Sequence, residues 1–471
     1  MWDCDFDDCQ KRAVRVNGQC ILCDHRLCSA HLKPEFHKCP HWKVSGSPQE
    51  PHAKLLICAH QDSKSFCSAF GEAEKRKLTA LMKRIDVGSL ASRASQLRNG
   101  IPCSISNDGT IDKSLTGGMN YHIEIRFEDD VRWLARIRKS NAASPPPELR
   151  DLIMRSEIAT LQFLEKTQIP APKVFGFDFE GKHNPVGVGY MLLEKLPGKS
   201  MSWSTSSEEQ KRKVITQLVD LYVELQKFPF ERMGSLDRLG AHEIGPFAQG
   251  ELADYSKTGL KMIGPCSSLE EYYRAFLELT LDLILREECY TDRPVDGYLI
   301  HRFLLDSLPA VVSSRQGFDD GLFYLKHADD KGDHILIDDE FNITGIIDWE
   351  WAYTAPKSLA FNSPTLLLPV AEFYDSNTNL GEHEVIFAQV LEDKGHQTLA
   401  NIVRSGRVAH FFEFCGGYPG GWEDYVSLFQ GLRNALGVHA ELDWDGWKKV
   451  ALEQYKDDER LKVLLARSES N

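Results

Sequence analysis

The chain has 471 residues, more than one hydrophobic core usually supports, so a small module plus a larger two-lobed domain is expected. Its 42% hydrophobic and 26% charged residues exclude disordered and collagen-like classes, and no apolar run reaches the roughly 18 residues of a membrane span. A net charge of -14 argues against general affinity for nucleic acid or anionic membranes, and the acidic start Met1-Trp2-Asp3-Cys4-Asp5 is unlike a signal peptide, so an intracellular protein is expected.

The 12 cysteines are unevenly placed: half fall before residue 40, and the rest are scattered as Cys58, Cys67, Cys103, Cys266, Cys289 and Cys415. With histidines, the early ones form four close pairs: Cys4-x4-Cys9, Cys20-x2-Cys23, Cys28-x2-His31 and His37-x1-Cys39. So short a segment cannot bury a core. Thiolates and imidazoles in close pairs suit tetrahedral zinc, whose binding then supplies the free energy of folding. The spacing resembles the AN-one-type zinc finger. That resemblance implies a two-zinc cross-brace over residues 1–43, with Cys4, Cys9, Cys28 and His31 on one structural zinc and Cys20, Cys23, His37 and Cys39 on the other. The first gap, x4, is longer than the x2 commonest in that family, and His25 and His41 stand as substitute ligands. The resemblance also implies docking to a protein partner, since such fingers are often tied to ubiquitin or proteasome pathways. A closed structural site leaves no open position for catalysis.

Residues 44–55, with Val44-Ser45-Gly46-Ser47-Pro48 and Pro51, have linker composition. From about Gly71 to Asn99 the chain is charged and amphipathic, with Leu78, Leu81, Met82, Ile85, Leu90 and Leu97 at mostly helical spacing, which predicts a helical connection over 56–110. The turn Ser114-Leu115-Thr116-Gly117-Gly118-Met119-Asn120 precedes two strand-like runs, Tyr121 to Phe127 and Val131 to Arg138. Glycines there let backbone N–H groups approach phosphates, though such a pair is also an ordinary turn. The period of two in the second run puts Arg136 on one face with Leu134 and Arg138, opposite Trp133 and Ala135. A helix is predicted from about Leu149 to Lys166, carrying Glu157, and an Arg136–Glu157 pair would fix a phosphate-binding cation. Val186 to Glu194 reads as a buried strand running into Lys195-Leu196-Pro197-Gly198.

The richest segment is Phe323-Tyr324-Leu325-Lys326-His327-Ala328-Asp329-Asp330-Lys331-Gly332-Asp333-His334, which continues to Ile346-Ile347-Asp348-Trp349-Glu350. Carboxylates capping two adjacent apolar strands are costly unless they hold a metal or take a proton, as in a phosphoryl-transfer site. The order of glycine turn, basic strand residue, helix glutamate, hinge, His-x-Asp loop and Ile-Asp-Trp-Glu is similar to the aminoglycoside phosphotransferase family, over about residues 100 to 430. The resemblance implies an α+β, bilobal protein-kinase-like fold: a small β-rich N-lobe over 111–196 and a larger helical C-lobe over 197–471. It implies Asp329 as the catalytic carboxylate and Asp348 as a ligand of Mg2+ or Mn2+. ATP would meet the turn of Gly117, Gly118 and Asn120, would be gripped by Arg136 anchored on Glu157, and would find its adenine partners in the backbone of Lys195 and Leu196.

Five residues after Asp329 the family usually has a metal-binding asparagine, and here stands His334. Magnesium prefers oxygen and imidazole suits softer ions, so Asp333 or Asp330 would have to supply the oxygen. The expectation is an ATP-dependent phosphotransferase for a small hydroxylated or amine-bearing acceptor. Its alternative is a zinc-finger adaptor with a catalytically impaired, nucleotide-binding pseudokinase domain. Phe411-Phe412-Glu413-Phe414 and Tyr418 to Trp422 could line the acceptor wall, although aromatic clusters are more often packing.

Overall fold

The computed structural model describes residues 3–6, 9–15, 18–32, 39, 41, 64–105, 117–141, 144–241, 243–256, 259–417 and 421–469. The 44–55 linker, His37, Cys58, Ser114-Leu115-Thr116 and Tyr418-Pro419-Gly420 therefore lie outside the described residues.

Little apolar surface is available to the N-terminal module, and its small core is built from Leu22, Leu27 and the cysteines Cys4, Cys20, Cys28 and Cys39. Phe6 stacks on His31 with ring centroids 4.1 Å apart. All cysteines among the described residues are free of disulfides. The amphipathic run after the module forms two helices, α1 (Lys64–Arg84) and α2 (Val87–Leu97). The break comes at Asp86, whose carboxylate accepts the Ser89 N–H at 2.8 Å and starts a new helix axis.

Five strands form one antiparallel sheet: β1 (Cys103–Ile105), β2 (Asn120–Phe127), β3 (Arg132–Arg138), β4 (Val174–Asp178) and β5 (Tyr190–Glu194), in the order β1-β2-β3-β5-β4. One face, with Ile123, Ile125, Trp133, Ala135, Ile137 and Leu192, packs on Leu78 and Leu81 of α1, Ile85 between the helices and Leu90 of α2. The predicted strand from Val186 is shorter than expected. Asn184 ties that segment into a loop, donating to the carbonyls of Phe179 and Val188 and accepting from Val186 N–H, and Gly187 has a φ of 84° that a pleated strand cannot use. The strand begins only at Tyr190.

Helix α3 (Pro147–Leu164) opens on proline at its first turn and lies between the sheet and the C-lobe. Beyond it come α4 (Glu208–Leu225), started by a Ser207–Gln210 capping box, and the hairpin β6 (Ala253–Ser256) and β7 (Gly259–Met262). Helices α5 (Leu269–Leu285) and α6 (Pro294–Ser313) precede two antiparallel pairs. In these, β8 (Phe323–Lys326) pairs with β11 (Tyr353–Pro356), and β9 (Ile335–Ile337) pairs with β10 (Ile343–Ile346). The later helices include α7 (Arg407–Gly416) and α8 (Trp422–Leu436). One large core unites these elements apart from the hairpin β6/β7, with Tyr298, Phe361, Phe387 and Phe429 fully buried, each contributing about 1.5–3 kcal/mol. Phe411 and Phe412 belong to it as well, Phe411 stacking on Phe373 at 4.4 Å, so they pack the core and do not line a wall. No helix among the described residues is long and apolar enough to cross a membrane.

Candidate active site

Strand alternation sets the first element of the site. Trp133, Ala135 and Ile137 enter the core under α1 and α2, so Arg136 and Arg138 must emerge on the opposite face of β3, toward α3. Arg136 is 7% exposed, and a guanidinium desolvated to that degree is tolerated only with close carboxylates. It has three: Glu157 of α3 at 3.4 Å, Asp348 at 2.6 Å and Glu350 at 2.8 Å. Arg138 forms a further ion pair with Glu350. Asn120, at the start of β2, donates its side-chain amide to Glu350 at 2.9 Å. Of these, Asn120, Arg136, Arg138, Glu157 and Glu350 line a common cleft.

The two carboxylates Asp348 and Glu350 come from one irregular turn between β10 and β11. Asp348 and Trp351 both adopt left-handed backbone angles, with φ of 63° and 67°. Such angles are uncommon outside glycine and cluster where geometry serves a site. Burial pushes the Glu157 carboxyl up to about 7 against the pull of Arg136. Burial likewise pushes Arg138 down to about 10, helped by repulsion from Arg136. For Asp348 burial works upward too, but Arg136 outweighs it and holds the carboxyl below its ordinary range.

Between β8 and β9 runs the loop of residues 327–334. His327 anchors its start: its Nδ1 accepts the Asp329 N–H at 3.2 Å, and its Nε2 donates to the Ile347 carbonyl at 3.0 Å, one residue before Asp348. The loop therefore carries Asp329 in register with the Asp348 turn. Asp329 is partly exposed and pairs with Lys331 at 2.6 Å, and Lys331 also reaches Asp333 at 3.5 Å. Asp333 faces solvent. Asp330 points inward, taking the Thr365 N–H at 2.9 Å and facing Lys326 at 3.5 Å. Gly332 lets the chain turn at a φ of 110°, and a Cβ there would come within 2.5 Å of Leu366. His334 is buried, accepts the Gly332 N–H at 3.3 Å on Nδ1 and stacks on His327 at 4.3 Å. Burial pulls it down to about 3, which keeps it neutral.

Other anticipated residues lie around this centre. Gly117 and Gly118 are exposed in the turn before β2, where the Gly117 N–H donates to the Asn120 carbonyl at 3.0 Å. Lys195 follows β5 and pairs through its ammonium with Glu124, while Leu196 lies over Gly345. Two participants were not anticipated. Glu350 collects Asn120, Arg136 and Arg138, and Lys331 sits on Asp329. The i, i+2 spacing of two arginines on one strand face was a signal for the first, since a second buried cation needs a second carboxylate.

In the N-terminal module two groups of side chains are gathered so that their ligand atoms lie within 4.8 Å of one another: Cys4, Cys9, Cys28 and His31, and Cys20, Cys23 and Cys39. A tetrahedron with Zn–S bonds of about 2.3 Å has an S–S edge of about 3.8 Å. The Cys9–Cys28 and Cys20–Cys39 sulfur separations are 3.9 Å and 3.7 Å, and Cys4 Sγ lies 3.2 Å from His31 Nδ1. Both groups can thus hold zinc. The second lacks a fourth ligand among the gathered residues. His25 places Nδ1 at 3.1 Å from Cys23 Sγ, and His41 is exposed.

Comparison with known proteins gives a match of residues 121–356 to the model of the phosphotransferase enzyme family (APH), half of the chain. A subtelomeric hrmA-associated cluster protein of Aspergillus fumigatus is 28% identical over 173 residues, 33% of this chain and 33% of that protein. A clavilactone A biosynthesis cluster protein of Ampulloclitocybe clavipes is 26% identical over 276 residues, 56% of this chain and 65% of that protein. The chain thus spans about a third of the length of the first relative and about two thirds of the second. Among solved structures, the Plasmodium vivax ethanolamine kinase has a TM-score of 0.41 at 14% identity, covering 84% of this chain and 93% of that one. An aminoglycoside phosphotransferase APH(4)-Ia in complex with ADP and hygromycin B has a TM-score of 0.38 at 12% identity, covering 75% of this chain and 99% of that one.

Proposed function

Because the chain belongs to the phosphotransferase enzyme family, we propose that it transfers the γ-phosphoryl group of ATP to a small hydroxylated or amine-bearing metabolite. The observation that carries this reading is the convergence on Arg136 of Glu157 and Asp348, with the His327 bridge tying Asp329 to Ile347, the residue before Asp348. Arg136 would bind the phosphates, the turn of Gly117, Gly118 and Asn120 would offer backbone N–H groups, and the backbone of Lys195 and Leu196 would meet the adenine. Asp348, with Asp333 as a second oxygen, would hold Mg2+ or Mn2+, which supplies neutralisation of the charge on the transferring group. Asp329 would orient the acceptor hydroxyl or amine and take its proton. Lys331, the cation beside Asp329, would add positive charge on the side where His334 gives none. A relative named for a biosynthesis cluster is in keeping with a small-molecule acceptor.

A thermal unfolding scan with ATP, with and without magnesium or manganese, tests the nucleotide site. At a hundredfold excess over Kd the folded state should gain about 2.7 kcal/mol, in a metal-dependent way that Asp348→Ala removes. No gain with either metal would move the reading to its alternative, a zinc-finger adaptor whose kinase-like domain is a binding scaffold. The buried, neutral His334 is the observation that favours that alternative.

The N-terminal module we read as a two-zinc unit, with His37 completing the second site. Elemental analysis of the full chain should give about two zinc ions, and Cys28→Ser about one. A content near zero in carefully purified protein would remove zinc from the account.

A further inference from the structure

The N-terminal module touches both lobes of its own chain. On one side Ala69 and Ala73 of α1 complete its core, Arg76 donates to the Leu22 carbonyl at 3.0 Å, and Lys77 pairs with Asp24 at 3.3 Å. Helix α1 in turn is built into the N-lobe, since its Leu78 and Leu81, and Ile85 just after it, share a core with the inner face of the sheet. On the other side the module meets the C-lobe at the end of α5 and at β6. The Arg15 N–H donates to the Glu288 carbonyl at 2.8 Å, and Ser29 Oγ donates to Glu287 at 2.9 Å. The Arg15 side chain pairs with Glu288, with Asp254 at 2.9 Å, and donates to the Ala253 carbonyl at 2.7 Å. Arg12 adds a second contact to Glu288 at 2.6 Å, and Arg286 of the C-lobe closes the cluster at 3.2 Å.

This is a built contact and not a chance surface pair. The Glu288 side chain is 2% exposed and Arg15 10%, so solvent screening is weak and loss of one partner leaves a buried charge. The contact also leads inward. Ala253 belongs to a small apolar cluster with Leu149, Leu152 and Ile153 of α3 and with Trp351. Helix α3 carries Glu157, and Trp351 follows Glu350. The module thus reaches, through packed side chains, the two elements that hold Arg136.

We propose that the N-terminal module is a brace between the two lobes, and that metal binding by its cysteines and histidines sets how far the lobes can part. Its partner at this face is its own kinase-like domain. The physical reason is that two lobes joined at one edge can open about that edge, whereas a third, rigid body bonded to both resists the opening. Rigidity in so small a core comes from the metal, because among the described residues of the module the buried aliphatic side chains are only Ala13, Val14, Leu22 and Leu27. Metal loss then acts at a distance through an element with two arrangements, docked and released.

Hydrogen exchange on the full-length, zinc-loaded chain tests this without reference to nucleotide or turnover. Arg15→Glu should raise exchange about tenfold both in residues 67–84 of α1 and in the hairpin 253–262, with α7 and α8 unchanged and the zinc content kept. Stripping the metal from the wild-type chain should reproduce the same pattern. If the substituted chain does not fold, Arg12→Ala, which removes only one arm of the cluster, is read by the same criterion. Exchange that rises only beside residue 254 and residues 286–288, with α1 unmoved, would reduce the contact to a local patch and overturn the brace. So would metal stripping whose effect stops at residue 41.

Discussion

Asp329→Asn is expected to lower turnover by about 10²- to 10⁴-fold while ATP affinity stays within about threefold of wild type. What decides the outcome is where this carboxylate is held. Its backbone N–H is fastened to His327, and its side chain keeps one charged partner, Lys331, and access to solvent. A group so placed can meet an incoming acceptor without first being dragged out of a core. Asparagine keeps the shape but cannot take the proton, so binding should survive and the chemical step should not. Measurement of kcat and of nucleotide affinity on the same preparation separates the two. Turnover within about tenfold of wild type would remove Asp329 from the role, and an equal loss of nucleotide affinity would make it a binding residue.

The second large effect concerns acid. Burial pulls His301 down to about 4 and His334 and His410 down to about 3, and it lowers His327 as well. Geometry explains why protonation is so unwelcome. His301 and His410 each donate one N–H to a carbonyl, of Gly297 and Ser363, and the second ring nitrogen of each has no partner among the described residues. In His327 and His334 the Nδ1 that would take the proton already accepts a backbone N–H. Since these folded values lie below the unfolded value of 6.5, the unfolded chain binds more protons in between. The stabilisation is present in full above about pH 6.5 and is lost as the pH falls toward about 3. Glu157, raised to about 7, works the other way with one proton. A net two to three protons corresponds to about 3–4 kcal/mol per pH unit, so about 4–6 kcal/mol should be lost between pH 6.5 and 5, a large share of the stability of an ordinary domain. Denaturant midpoints at a series of pH values check this. A flat profile from pH 7.5 to 5 would contradict it, and His410→Phe should remove about one proton from the slope.

Parts of the site were legible because they follow from local periodicity. The period of two along residues 132–138 places Arg136 and Arg138 on one face, and the apolar pattern around Glu157 makes a helix that can present it to that face. The gathering of the close Cys and His pairs could be read because the partners of each pair lie near one another in sequence. What escaped was set by distance along the chain. Glu350 takes its partners Asn120 and Arg136 from 230 and 214 residues away, and no periodicity announces such a meeting. Arg15 and Glu288, 273 residues apart, are a similar case: two ordinary charges whose burial only the assembled fold creates. The apolar look of Val186 to Gly189 misled for a different reason, since side-chain bonds from Asn184 and a left-handed glycine outweighed β propensity. At Asp86 a capping side chain divided what the spacing joined.

The 2.6 Å pair between Arg136 and Asp348 has a consequence for selectivity. On the proposed reading, the group meant for phosphate and the group meant for metal at present neutralise each other. The exchange is uneven. A lone cation drawn to Asp348 leaves Arg136 with Glu157 and Glu350, whereas a lone anion drawn to Arg136 leaves Asp348, whose side chain is 48% exposed, to water or to a cation. A ligand bringing both signs exchanges partners on both sides at once, so the pair favours a metal–polyphosphate complex over free phosphate.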